Sequence, residues 1–172
     1  MIQKTLIAIC LITFAIISCS VKSDPNWGKS VCECRLSIGL STNIVTTGSS
    51  ANIHIRIKNM SSNAIKLNSK PWTAFTITNT FGKSYQLIPI FDTGFVLPFN
   101  SNVNAGEVGD WIIRVKFCVY AEPRDYAERG DTVLGVIETG EYEFLPITRE
   151  IITADKKVCT LTSNSLKVKV VE

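Results

Sequence analysis

From Val31 onward, apolar and polar residues alternate with a period of two. In "NIHIRIKN", Ile53, Ile55 and Ile57 fall on one side and His54, Arg56 and Lys58 on the other. "SLKVKVVE" sets Leu166, Val168 and Val170 against Lys167 and Lys169. "DWIIRVKFCVY" sets Trp111, Ile113, Val115, Phe117 and Val119 against Arg114, Lys116 and Cys118. Such alternation is the signature of half-buried β-strands. "FTITNTFGKSYQLIPI" predicts a hairpin turning near Gly82, and Leu36–Leu40, Ala64–Asn68 and Tyr142–Ile147 are shorter strand candidates. "STNIVTTGSS" and "NMSSN" carry turn residues between strands. No segment holds a 3.6-residue period over ten positions, and the one helical turn predicted lies in "EPRDYAERG", between Pro123 and Gly130. Many short strands, each with one apolar face, predict an all-β fold: a two-sheet antiparallel sandwich.

The N-terminus follows a different pattern. Lys4 precedes a nearly unbroken apolar run from Thr5 to Ile17. As a helix these residues rise only about 20 Å, short of the roughly 30 Å needed to span a bilayer. The dimensions are those of a signal-peptide h-region. The run ends in Ile16-Ile17-Ser18-Cys19, where an ordinary signal-peptidase site would need small residues at fixed spacing. This boundary resembles the lipobox of bacterial lipoproteins, with Ile16 where Leu is the commonest residue. The resemblance implies acylation of Cys19, which becomes the mature N-terminus, and several acyl chains make such an anchor stable where one is marginal. It divides the chain into a lipoprotein signal peptide (1–18), a polar tether (19–30, "SVKSDPNWGKS" after the cysteine) and a sandwich domain (31–172). Ser20 after the cysteine points, in a Gram-negative cell, to the outer rather than the inner membrane.

The six cysteines fit this division. Cys10 leaves with the leader and Cys19 takes the lipid. Cys32, Cys34, Cys118 and Cys159 then make two disulfides in an oxidising compartment. A direct Cys32–Cys34 bond would demand a very small ring, so the pairing expected joins Cys32 and Cys34 to Cys118 and Cys159, in an order left open. The alternative use of Cys32-Glu33-Cys34 is a soft-metal site with two thiolates on one strand face, but one histidine and few methionines give it little company.

"GEYEF…SNSLKVKVV" resembles the last two strands of Ig-like sandwich domains of bacterial envelope proteins, where Gly-x-Tyr opens the penultimate strand and Ser-Asn precedes the final one. It implies an Ig-like two-sheet sandwich. The immunoglobulin Cys…Trp pin is not expected, because Trp72 lies too far beyond Cys34.

At 172 residues, with 45% hydrophobic and 19% charged residues, the chain suits one domain. Eighteen Lys and Arg against 15 Asp and Glu, scattered along the sequence, give no footprint for nucleic acid. No catalytic residues, metal site or cofactor are expected. His54 stands alone on a polar strand face, without a nucleophile elbow elsewhere. Asp92-Thr93-Gly94 is similar to the aspartic-protease triplet but has no duplicate, and turn chemistry accounts for it. The long segment from Asp92 to Asp110 carries Phe95, Val96, Leu97 and Phe99. It is the candidate binding loop if exposed and a core plug if packed down. The function expected is a lipid-anchored, non-catalytic binding or structural module of the cell envelope. Its partners are the membrane, through the lipid, and another envelope protein. The alternatives are a sandwich presenting its hydrophobic loop to a protease, as bacterial proteinase inhibitors of this look do, and the Cys-x-Cys metal carrier.

Overall fold

The computed structural model describes residues 25–68, 74–90, 101–120 and 133–172. The alternating segments form strands, and the first sheet joins β1 (Cys34–Leu40), β3 (Ser50–Asn59) and β8 (Val108–Lys116) in the antiparallel order β1-β3-β8. A bridge from Pro89 to Val115 extends it past β8. The second sheet joins β2 (Ile44–Thr46), β14 (Leu166–Val171), β11 (Gly140–Phe144), β5 (Phe75–Asn79) and β6 (Ser84–Leu87) in that order. Only β2 and β14 run parallel in it. These two sheets reproduce the A-B-E and C-F-G halves of an Ig-like sandwich, so the expected fold class stands.

Two insertions elaborate it. β4 (Ile65–Leu67), β7 (Asn102–Val103), β12 (Thr148–Ile152) and β13 (Val158–Thr162) form a four-stranded sheet, β13-β12-β4-β7. β9 (Cys118–Tyr120) pairs with β10 (Val133–Val136). The hairpin β12–β13 lies between β11 and β14 in sequence, so the two strands read as the end of an Ig domain do pair, Tyr142 opposite Val168, but across an insertion.

One core unites the sheets. Leu36, Ile38, Ile53, Ile55 and Ile57 face Phe75, Ile77, Phe144, Val168 and Val170, and Leu67, Ile151 and Leu161 join from the third sheet. Phe144 meets Phe75 and Phe117 edge-on, with centroids 6.3 and 6.4 Å apart, the arrangement that aligns ring edges with ring faces. Tyr142 turns its ring inward and donates its hydroxyl to the Glu138 carbonyl at 2.9 Å. This is the tyrosine corner of Ig-like sandwiches. The glycine of the Gly-x-Tyr signature, Gly140, has φ of 152°, a region closed to other residues.

The alternation of "DWIIRVKFCVY" breaks at Phe117. This residue stands between β8 and β9, with its N–H bonded to Ser49 O and its carbonyl accepting from Gly48 and Ile137. The extra residue shifts the phase, so Phe117 and Cys118 are both buried. Cys118 therefore does not lie on the polar face, where strict alternation had put it.

Candidate functional site

The chain from Pro25 to Ser30, read as tether, lies against the sandwich. Gly28 donates its N–H to Leu36 O at 2.9 Å, and Ser37 donates its hydroxyl to Asn26 O at 3.1 Å. A Cβ on Gly28 would stand 2.0 Å from Thr162 O, so this strip of backbone fits between β1 and β13 only because the residue has none.

The strip turns into β1 through Val31-Cys32-Glu33-Cys34. Val31 and Cys34 exchange two backbone hydrogen bonds of 2.9 Å, and the two central residues have φ of 49° and 55°. That is a type I′ turn made without glycine. It reverses the chain, so Cys32 and Cys34 do not share a strand face as an extended Cys-x-Cys would. Cys32 is bonded to Cys159 of β13, with Cα atoms 6.5 Å apart.

Cys34 and Cys118 are free thiols, which corrects the expectation of a second disulfide. The reason is distance. Cys34 is registered opposite Asn59, one end of β3, while Cys118 follows Lys116, registered opposite Ser50 at the other end. Nine strand steps separate those ends by roughly 30 Å, and a disulfide tolerates under about 7 Å between Cα atoms. With Cys32 oxidised, the Cys-x-Cys pair has no second thiolate to offer a metal.

Cys34 is held in another way. It is fully buried, and its thiol donates to Asn59 Oδ1 at 3.7 Å. Burial pushes the thiol up from its ordinary value, an effect opposed by the Met60 backbone and reinforced by Glu33. Asn59, also fully buried, donates to the carbonyls of Asn63, Val103 and Asn104 and accepts from the Ser61 N–H and hydroxyl. Sequence reading passed over Asn59, since one asparagine ending an apolar strand looks like turn chemistry.

His54 is not the isolated residue expected. Its Nδ1 lies 3.2 Å from Asp110 Oδ1, and Arg56 Nε donates to Asp110 Oδ2 at 3.0 Å. Two strands bring these side chains together on the outer face of β1-β3-β8, because Arg56 of β3 is opposite Asp110 of β8 and His54 is two positions away on the same face. The same face carries Arg35, Lys58, Arg114 and Lys116, each on an outward position of its strand, with exposed Val108 and Ile112 among them. Among the described residues of these three strands, five Lys and Arg thus surround one carboxylate.

The outer face of the five-stranded sheet differs. Glu141 is opposite Lys169 and Glu143 opposite Lys167, so its charges balance. Together with Asn43, Ile44 and Asn79, these strands border an open cleft of about 420 Å³.

Cys19 and the loop residues Phe95, Val96, Leu97 and Phe99 lie outside the described residues, as does the helical turn expected between Pro123 and Gly130. The far part of the Asp92–Asp110 segment is not loop: it enters β7 at Asn102 and β8 at Val108.

No protein-family model matches the chain, and no curated protein matches it. Among solved structures it is similar to a Northeast Structural Genomics Consortium target, at 12% identity over 79% of this chain and 86% of that one, with a TM-score of 0.46. It is also similar to the β-glucosidase of Listeria innocua in complex with glucose, at 14% identity and a TM-score of 0.39, covering 85% of this chain but 17% of that enzyme. A third is self-complemented MyfA, the major subunit of Myf fimbriae from Yersinia enterocolitica, at 10% identity over 80% of this chain and 98% of that one, with a TM-score of 0.36. These likenesses concern strand architecture alone.

Proposed function

We propose that this is a lipid-anchored protein of the cell envelope whose mature part is a non-catalytic Ig-like sandwich that works by binding. The observation that carries the reading is the Cys32–Cys159 disulfide. Such bonds persist in oxidising, exported compartments, in accord with the signal-like run before Cys19 and with cleavage at the lipobox. The bond pins the segment that leads from Cys19 into the domain. The polar groups of the sandwich serve structure where they are buried, as at Asn59, and are spread over solvated sheet faces elsewhere. Such faces suit contact with a partner.

Mass spectrometry of the protein extracted from its native membranes tests this. The expected N-terminus is Cys19 carrying a diacylglycerol thioether and an amide-linked acyl chain. An N-terminus elsewhere, or Cys19 without lipid, overturns the anchoring.

A further inference from the structure

We propose that the outer face of the β1-β3-β8 sheet is a docking surface for anionic lipid headgroups, on which the domain lies flat against the membrane that holds its anchor.

Charge is the first ground. Arg35, Arg56, Lys58, Arg114 and Lys116 project from this one face, and Asp110 is the single carboxylate among the described residues of its three strands. Arg56 is engaged with Asp110 at 3.0 Å. Arg35, Lys58, Arg114 and Lys116 have no ion-pair partner among the described residues. Glu33 and Glu107 sit in the turns preceding β1 and β8, and Glu107 accepts from Asn104 Nδ2. A cluster of unpaired Lys and Arg beside a membrane anchor is the pattern by which anionic leaflets are recognised, and a polybasic patch is a recognised second signal supporting a lipid chain. The neutral pairs on the five-stranded sheet offer no such attraction.

Apolar character is the second ground. Ile112 is 56% exposed and Val108 48% exposed on the cationic face. At a headgroup boundary such side chains reach the acyl region while neighbouring cations hold phosphates.

The third ground is where the chain leaves. Ser37 points outward from β1, yet is only 2% exposed and bonds Asn26 O. The strip from Pro25 therefore starts at the rim of this face. From Cys19 to Pro25 the extended chain reaches about 20 Å. A domain held that closely has little room to stand away from the bilayer, and the rim nearest its anchor belongs to the cationic face. This third ground rests on the lipid-anchored reading; the first two do not.

The test uses the processed chain, residues 19–172, carrying Cys19→Ser, so that no acyl chain contributes. Its sedimentation with vesicles of phosphatidylcholine alone is compared with that on vesicles half phosphatidylglycerol. The proposal expects binding to the anionic vesicles only, lost at high salt. It expects Arg35→Glu, Lys58→Glu and Arg114→Glu together to weaken binding by more than about tenfold, while Lys66→Glu with Lys157→Glu leaves it unchanged. Ile112→Ser, which keeps every charge, should weaken binding severalfold. Thermal midpoints confirm that each variant is folded. Equal binding to neutral vesicles, no binding to anionic ones, insensitivity to the triple reversal, or capture by a soluble polyanion without capture by vesicles overturns the proposal. The anchoring is judged separately by the lipid on native Cys19, so the two readings fail independently.

Discussion

Cys32 and Cys34 stand two residues apart and belong to different parts of the molecule: one is bonded to Cys159, the other donates its thiol to Asn59. The type I′ turn between them makes the difference. Titration of residues 19–172 carrying Cys19→Ser, in denaturant without reductant, should accordingly find two thiols, Cys34 and Cys118. Under native conditions both should react slowly, since both are buried. Finding none would restore the second disulfide.

The Cys34 thiol also gives stability a pH dependence. Its folded pKa is raised, chiefly by burial, so the native state holds the proton more tightly than the unfolded chain does. This contribution is complete below the unfolded value near 9 and is lost as pH rises through the folded value. Urea midpoints should therefore fall faster above pH 9 in the parent than in Cys34→Ala, compared as slopes because the substitution itself lowers stability.

Replacing Cys32 and Cys159 together by Ser should lower stability by about 3–5 kcal/mol, because the bond closes a loop of more than a hundred residues. The loss should be local as well as global. Amide exchange at Gly28, bonded to Leu36 O, should accelerate more than exchange in the centre of β3. Uniform acceleration would mean that the strip holds its place unaided.

Asn59→Ala should cost about 2–4 kcal/mol. It strands the buried carbonyl of Val103 and removes the bonds that Asn104 O and the Ser61 N–H make in the partly buried turn beside it. Asn59→Asp should be at least as harmful, because the three donated bonds need the amide nitrogen and a carboxylate would be buried unpaired. Chemical denaturation of the two variants checks the order.

Tyr142→Phe removes only the hydroxyl that reaches Glu138 O and should cost about 1–2 kcal/mol. Gly140→Ala, at a φ of 152°, should cost at least as much through backbone strain alone. A neutral result at both positions would show that the corner adds nothing to stability.

Strands were legible where the buried positions were apolar and most of the exposed ones polar. β3, β14 and the first part of β8 follow from alternation, and the β5–β6 hairpin from its turn residues. The hairpin β12–β13 was not. Arg149 faces inward there, 8% exposed, its guanidinium pulled down to about 10 by burial, while Val158 faces out. That pair inverts the pattern a reader looks for. Docking of Pro25–Ser30 left no pattern along the strip itself, which contributes backbone groups and a missing Cβ, met by the hydroxyl of Ser37. The cationic face was invisible for another reason. Its residues come from three strands scattered through the sequence, and only their pairing shows that charges evenly spread along the chain are unevenly spread in space.

The same pairing has a temporal side. β2 lies parallel to β14, and Cys32 must find Cys159, 127 residues later. Contacts of such long range make folding slow, because loop closure precedes reward. A chain emerging N-terminus first thus keeps its opening strands waiting for its last ones. The fold closes only after β14 has been made, which leaves an interval in which the polypeptide is still thin enough to be threaded elsewhere.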